Sequence, residues 1–456
     1  MLIATWKNRL RKLPPDHIPE SKELQRELLM PPSSPWPLHF STRQIFPQNF
    51  SPPPLDDRQS QKVDSEQKLS QDVKDDTDEE LEQSSLVFGL GDDCTIRRVT
   101  MNAIGIDIGT KNIVVSFYHN KKTVFLREIN GYYLIPRPSK FIENMLDDPN
   151  KMRSDGTKRP AKWIRLDNQD GIYVLGKDAE ELAYAHNDTL LRPMAEGGVA
   201  PDEAALMVLS SIVQGLLSMA EHDAGEFEPE IKLCYCTTAK ALNRPSNIDY
   251  HQQVLNLIIS GYQTISSIKT SSIKESHALV LKETPDATGI GISWGAGTVT
   301  VSYVLWGNEI YSFSWVGAGD WIDTEVAKRH GYDTEVLRKK SAETPTTVCR
   351  MKEKIDLTQA YTTRLELDII LHYRILIQNV IRGIVQGFID NETNARIDKP
   401  IDVFMAGGTS CPAGFEEMVS QLFKEEKMPF EVNKVKRCKD PLFAVAEGCL
   451  IAASAS

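Results

Sequence analysis

Basic stretches are scarce in this chain. Lys and Arg number 52 against 63 Asp and Glu, the formal charge is −11, and no basic stripe crosses the apolar-rich part. That balance argues against a nucleic-acid surface. Cysteine is sparse too: the seven residues are an odd number and lack the spacing of a metal site. Cys234 and Cys236 sit two apart on an expected strand and share a face; buried thiols fit them better than a zinc site. Free cysteines, with no secretory signal pattern at the start, lead to the expectation of a reducing cytoplasm. No apolar run is expected to cross a bilayer. The long stretch Leu365–Ile389 is interrupted by Asp368, His372, Arg374, Gln378, Asn379 and Arg382, and reads as a core helix.

Residues 1–100 lack the apolar content of a folded domain. Proline clusters recur at Pro14-Pro15, Pro31-Pro32 and Pro52-Pro53-Pro54, and an acidic run spans Asp72–Glu82. Such a segment buries too little apolar area to offset chain entropy. Met1–Leu13 differs: Leu2, Ile3, Trp6, Leu10 and Leu13 alternate with Lys7, Arg9, Arg11 and Lys12 as in a short basic amphipathic helix, which suits contact with an anionic membrane. Met101 directly precedes the first strong strand pattern, so an over-long reading frame accounts for the same hundred residues.

The most informative feature is a repeat. Ile104-Gly105-Ile106-Asp107-Ile108-Gly109-Thr110-Lys111-Asn112-Ile113-Val114-Val115-Ser116 returns as Ile290-Gly291-Ile292-Ser293-Trp294-Gly295-Ala296-Gly297-Thr298-Val299-Thr300-Val301-Ser302. The Ile-Gly-Ile opening, the glycine pair Gly109 and Gly295, and the closing Val-Ser are identical. Each copy reads as a strand, a tight glycine turn and a second β-branched strand. Successive N–H groups in such a turn form an anion nest, and two facing hairpins would grip a polyphosphate from both sides. The repeat implies two related half-molecules.

Around the repeat the pattern is mixed α/β. Strands are expected at Ala103–Ile108, Ile113–Tyr118 and Thr123–Asn130, with Asn120-Lys121 at a turn. Further strands are expected near Tyr173–Gly176, Ile231–Thr237, Thr264–Ile268, Asn308–Val316 and Val403–Met405. Helices are expected at Lys177–Ala185, Ala204–Ala220, Tyr250–Ser260, Ser276–Lys282, Trp321–Arg329, Leu337–Thr358, Leu365–Ile389 and Pro412–Lys427, with a small-residue helix closing the chain.

Over residues 102–455 this order of segments resembles the actin-like ATPase superfamily, which includes actin, bacterial MreB and DnaK-type chaperones. Residues 104–112 and 290–302 resemble its two phosphate loops, Ile273–Leu281 and Ala444–Gly448 its connecting segments, and Val403–Thr409 its adenosine-contacting loop. The resemblance implies duplicated βββαβαβ-type subdomains with a nucleotide cleft between two lobes. Residues 101–285 plus 441–456 would form lobe I, with a small insert at about 133–185, and residues 286–440 lobe II, with a helical insert at about 324–394. It implies ATP or ADP with Mg²⁺, a metal-anchoring Asp107, and a Glu275 that polarises the attacking water. Gly109, Thr110, Lys111 and Asn112 would face Gly295, Ala296, Gly297 and Thr298 across the phosphates. Lys352, Gly407, Gly408 and Thr409 would contact the nucleoside. The family carries an aspartate where this chain has Ser293; a hydroxyl is a weaker acceptor without charge, so binding is expected to persist and hydrolysis to be slow. Trp294 beside it is expected to narrow the pocket floor.

Leu191-Arg192-Pro193-Met194 with Gly197-Gly198-Val199, and Asp440-Pro441-Leu442 with Ala444–Gly448, resemble MreB-type proteins. The resemblance therefore implies a bacterial-type cytoskeletal protein that assembles into filaments. A chaperone ATPase module lacking a peptide-binding domain, and a nucleotide-gated adaptor with little or no turnover, are the alternatives.

Overall fold

A computed structural model describes residues 103–152, 159–166, 170–186, 188–224, 230–244, 248–262, 267–332, 345–390 and 399–456. The expectations for residues 1–100, including the Met1–Leu13 helix, lie outside the described residues.

The first half opens with β1 (Ala103–Ile108), β2 (Asn112–His119) and β3 (Lys122–Ile129). A smaller layer follows: β4 (Tyr132–Ile135), α1 (Lys140–Leu146), β5 (Trp163–Arg165), β6 (Ile172–Leu175) and α2 (Gly176–Ala185). Next come the short hairpin β7 (Met194–Ala195) and β8 (Gly198–Val199), then α3 (Glu203–Ala224), β9 (Glu230–Thr237), α4 (Ile248–Ser260), β10 (Ser267–Lys274) and α5 (Glu275–Glu283). The second half begins with β11 (Gly289–Trp294), β12 (Thr298–Leu305) and β13 (Asn308–Val316). It continues with α6 (Gly319–Ala327), α7 (Pro345–Lys352), α8 (Arg364–Asp390), β14 (Ile401–Ala406), α9 (Phe415–Glu425), β15 (Val432–Arg437) and α10 (Ala444–Ala455).

The two large sheets have the same order. The first runs β10-β9-β1-β2-β3 and the second β15-β14-β11-β12-β13. In each, the first three strands are antiparallel and the other two join in parallel through helices. The first sheet packs on α3 and α4 through Ile104, Ile106, Phe117, Leu209, Ile212 and Leu255. The second packs chiefly on α8, whose Ile369, Tyr373, Leu376, Ile377, Val380 and Ile384 recur at helical spacing.

The identical residues of the repeat have identical jobs. A Cβ at Gly105 would lie 2.3 Å from the Ala446 carbonyl of α10, and one at Gly291 would lie 2.0 Å from the Ser276 carbonyl of α5. Each central strand therefore needs glycine to admit a helix against its backbone. The serine that ends each repeat secures the same helix: Ser116 Oγ donates to Ala446 O at 2.8 Å, and Ser302 Oγ meets Ser276 Oγ at 2.7 Å. Helices α5 and α10 also touch each other, where a Cβ at Gly448 would lie 2.0 Å from Ala278 O. Even the second turns match. Asn120-Lys121 and Trp306-Gly307 all have positive φ, as a two-residue turn between twisted antiparallel strands requires. A further tie joins the halves: Leu242 N–H donates to Ser314 O, and Ser314 N–H to Lys240 O, each at 2.9 Å, along the outer edge of β13.

Several expectations need correction. Helix α7 ends at Lys352, not Thr358, because Asp356 turns the chain by accepting from Thr358 and Gln359. Strand β10 runs through Ile273-Lys274, and α5 begins directly at Glu275. Strand β15 was not expected; its Val-Asn-Lys-Val-Lys-Arg sequence carries the charges of a sheet edge. Helix α1, with one buried residue, is set instead by its Ser139 cap. Helix α3 is long and apolar enough to cross a membrane by length and composition, contrary to expectation, but Val208, Leu209, Val213, Leu216 and Leu217 bury it against the first sheet.

Candidate functional site

Both glycine turns close in the same way. Gly109 N–H donates to Asn112 O, and Gly295 N–H to Thr298 O, each at 3.0 Å. Asn130 braces the first turn, its side chain donating to Gly109 O and its backbone to Lys111 O, both at 2.9 Å. The second turn is braced through its carbonyls. Ala296 O accepts from Asp320 N–H at 2.8 Å, Gly297 O from Gly317 N–H at 3.0 Å, and Gly295 O from Thr409 Oγ1 at 2.7 Å. With the carbonyls so engaged, the N–H groups of Ala296 and Gly297 donate to no described residue. The turns approach closely: a Cβ at Gly297 would sit 2.7 Å from Thr110 Oγ1.

Two buried carboxyl groups near the turns influence each other. Asp107 ends β1 and accepts from Cys236 Sγ at 3.1 Å; burial pushes its carboxyl up to about 6. Glu275 opens α5, and burial, then repulsion from Asp107, pushes it up to about 8. The nearby hydroxyls of Ser293 and Thr300 oppose that shift. Asp107, Glu275 and Ser293 are thus brought together from three elements. Their chemistry calls for a cation: two carboxylates held from water at close range are stabilised by positive charge. Among the described residues no group of three His, Cys, Asp or Glu side chains would hold a metal by itself.

Gly407, Gly408 and Thr409 lie against the second turn. Gly407 has φ 95°, and a Cβ there would meet Trp294 O at 2.3 Å, so the position requires glycine. Trp294 departs from expectation. It alternates with Ser293 along β11, is fully buried in the second core, and stands edge-on to Phe415 at 5.2 Å. It forms core rather than pocket floor.

The charged residues pair in ways the sequence did not reveal. Lys352 Nζ is buried, 2.7 Å from Asp323 and 2.6 Å from Gly319 O, so it braces the start of α6. Lys111 reaches from the first turn to Glu353 at 2.5 Å and Cys349 at 3.2 Å. Arg192 meets Asp320 at 2.5 Å. Sequence reasoning assigned no role to Arg192, Asp320, Glu353 or Asn130. Only the turn-like patterns beside them carried a signal. A concavity lined by Asp147, Lys162, Trp163 and Ser211 lies between the smaller layer and α3 and includes none of the site residues.

Residues 101–453 match the family model described as Volactin. Comparison with the curated proteins gave no match. Among solved structures, the chain is similar to one described as the MamK double helical filament, at 16% identity and TM-score 0.54, covering 77% of this chain and 98% of that one. It is also similar to MreB5 of Spiroplasma citri bound to ADP, at 14% identity and TM-score 0.50, covering 77% and 95%. At such identities the likeness establishes the fold, which is that of the actin-like ATPases.

Proposed function

The chain belongs to the Volactin family, and we propose that it binds ATP with magnesium between its two glycine turns, hydrolyses it slowly and assembles into filaments in a cytoskeletal role. The observation that carries this reading is the pair of turns closed by the same hydrogen bond and touching at Thr110 and Gly297, with the mutually repelling Asp107 and Glu275 carried by the adjoining elements. Gly109, Thr110, Lys111 and Asn112 cradle the phosphates from one side, and Gly295, Ala296, Gly297 and Thr298 from the other. Gly407, Gly408 and Thr409 lie on the nucleoside side, and Lys352 positions Gly319 beside them. Magnesium supplies charge neutralisation at the phosphates. Asp107 anchors its water shell, and Glu275 orients the attacking water by accepting its hydrogen bond. Both carboxylates must ionise for these roles, and the shared cation lowers the cost of doing so.

Assembly is supported by the filament in which the MamK structure was described. The full chain should sediment at high speed with Mg-ATP and stay in the supernatant without nucleotide. ATP binding without nucleotide-dependent pelleting would remove the filament role and leave the site. Asp107→Ala should weaken Mg-ATP roughly 10- to 100-fold and metal-free ATP by less than about threefold, because Asp107 acts through the metal. Isothermal titration with and without EDTA checks this; equal losses in both would make Asp107 a turn former only.

A further inference from the structure

Arg192 stands two residues ahead of the β7–β8 hairpin, whose turn residues Glu196 and Gly197 both have positive φ. The tip of this hairpin meets the place where the two glycine turns touch. A Cβ at Gly297 would lie 3.0 Å from Glu196 N and 3.1 Å from Gly197 N, and one at Gly197 would lie 2.6 Å from the Thr298 methyl. The hairpin therefore carries Arg192 to the flank of the second turn. Its partner Asp320 is fixed to that turn, since Asp320 N–H bonds Ala296 O at 2.8 Å.

The charges around this point form a pattern. Lys111 and Arg192 are cations of the first half, and each is held by a carboxylate of the second, Glu353 and Asp320, at 2.5 Å. Two further cations have their own partners, Lys352 in Asp323 and Arg244 in Glu196 at the hairpin tip. The Arg192 side chain is only 21% exposed, so it needs a counter-charge in any state. Burial raises the Asp320 carboxyl, and Arg192 with Lys352 and Lys111 more than offsets this, leaving it below the ordinary carboxylate range. A polyphosphate offers a guanidinium more negative charge than one carboxylate, in a geometry that accepts paired N–H donors.

We propose that Arg192 is a phosphate-binding residue of the site and that Asp320 is its place-holder, displaced when a polyphosphate enters. This rests on the nucleotide reading above and adds to it a second cation, from outside both glycine turns. The ligand class is a compound with at least two linked phosphates, nucleoside triphosphate foremost. Asp320 then competes with the ligand, so the two members of one ion pair act on affinity in opposite directions. A pair that served only to tie the halves together would not behave so, because loss of either member would loosen the site.

The test is calorimetric titration of ATP, and separately of inorganic tripolyphosphate, into the full-length protein and its variants. Arg192→Gln should weaken both ligands roughly tenfold, the worth of a charge-assisted hydrogen bond, and Arg192→Lys should recover part of that loss. Asp320→Asn, which keeps an acceptor for Arg192 but drops the charge, should tighten both roughly threefold or more. If both Gln and Asn variants weaken binding, or neither changes it, Arg192 is a structural tie and the proposal is overturned. If the unaltered protein binds tripolyphosphate with these opposite effects but prefers it to ATP, the nucleotide reading falls and the phosphate role of Arg192 stands. If it binds neither ligand, both fall.

Discussion

Glu275→Gln should leave ATP bound and nearly unhydrolysed while making the ligand-free protein more stable. The two effects have one origin. Glu275 is buried beside Asp107, and its carboxyl is pushed up to about 8 from an ordinary value of 4.5. A raised value means that the folded state holds a proton the unfolded chain releases. Between about pH 4.5 and 8 the folded state binds more protons, so stability falls as pH rises. The stabilisation is fully present below about pH 4.5 and is lost as pH passes about 8, a total on the order of a few kcal/mol. Asp107 adds a smaller loss between its ordinary 3.8 and about 6. Gln at this position keeps an acceptor near the Ser293 and Thr300 hydroxyls and carries no charge to desolvate. Urea denaturation without nucleotide should show the variant matching the parent near pH 4.5 and exceeding it at pH 8. Turnover of Mg-ATP should drop roughly 100-fold or more, since an amide is a poor acceptor for the water that a carboxylate orients. Unchanged turnover would remove Glu275 from the chemistry, whatever the denaturation curves show.

Much of this site was legible because it depends on backbone. Gly105, Gly291, Gly295 and Gly407 stand where a Cβ would strike main-chain atoms, and such positions leave a mark in the sequence itself. Ser116 and Ser302 repeat because each bonds a helix laid across its strand. The matched turns at Asn120-Lys121 and Trp306-Gly307 share a conformation and no residue, so the duplication runs deeper than its identical letters. The direction of Trp294 could have been read from strand alternation: once Ser293 faces Glu275, its neighbour must face the core. The ion pairs could not. Lys111 with Glu353 and Arg192 with Asp320 join residues far apart in the chain, and no local pattern selects one carboxylate over another. Lys352 illustrates the cost: the residue type suits a nucleoside contact, and the fold gives it to Asp323. Strand β15 escaped because an edge strand is defined by a neighbour on one side only, and its lysines follow from that exposure.

Ser293→Asp is expected to raise the turnover of ATP at the expense of the ligand-free fold. Ser293 occupies the place in the second repeat that Asp107 holds in the first. It is buried, and its hydroxyl favours the ionised form of Glu275. An aspartate there cannot donate while ionised. It would be a third carboxylate beside two whose protonation is already favoured by burial. Without a cation the repulsion should lower the melting temperature by several degrees. With Mg-ATP the sign reverses: a carboxylate at 293 would add to the hold of Asp107 on a bound magnesium ion and would supply one more charged acceptor. The gain in kcat should be about tenfold or more, the scale of one preorganised electrostatic group. Two measurements on the same preparation separate the contributions: melting in EDTA and in Mg-ATP, and phosphate release at saturating ATP. A lower melting point in EDTA, restored by Mg-ATP and joined to a higher kcat, is the expected result. Restored stability with unchanged kcat would place the new carboxylate on the metal but off the reaction path. Unchanged melting in both conditions would mean that the side chain at 293 does not face Asp107 and Glu275 at all, and the alignment of the two repeats at this position would have to be given up.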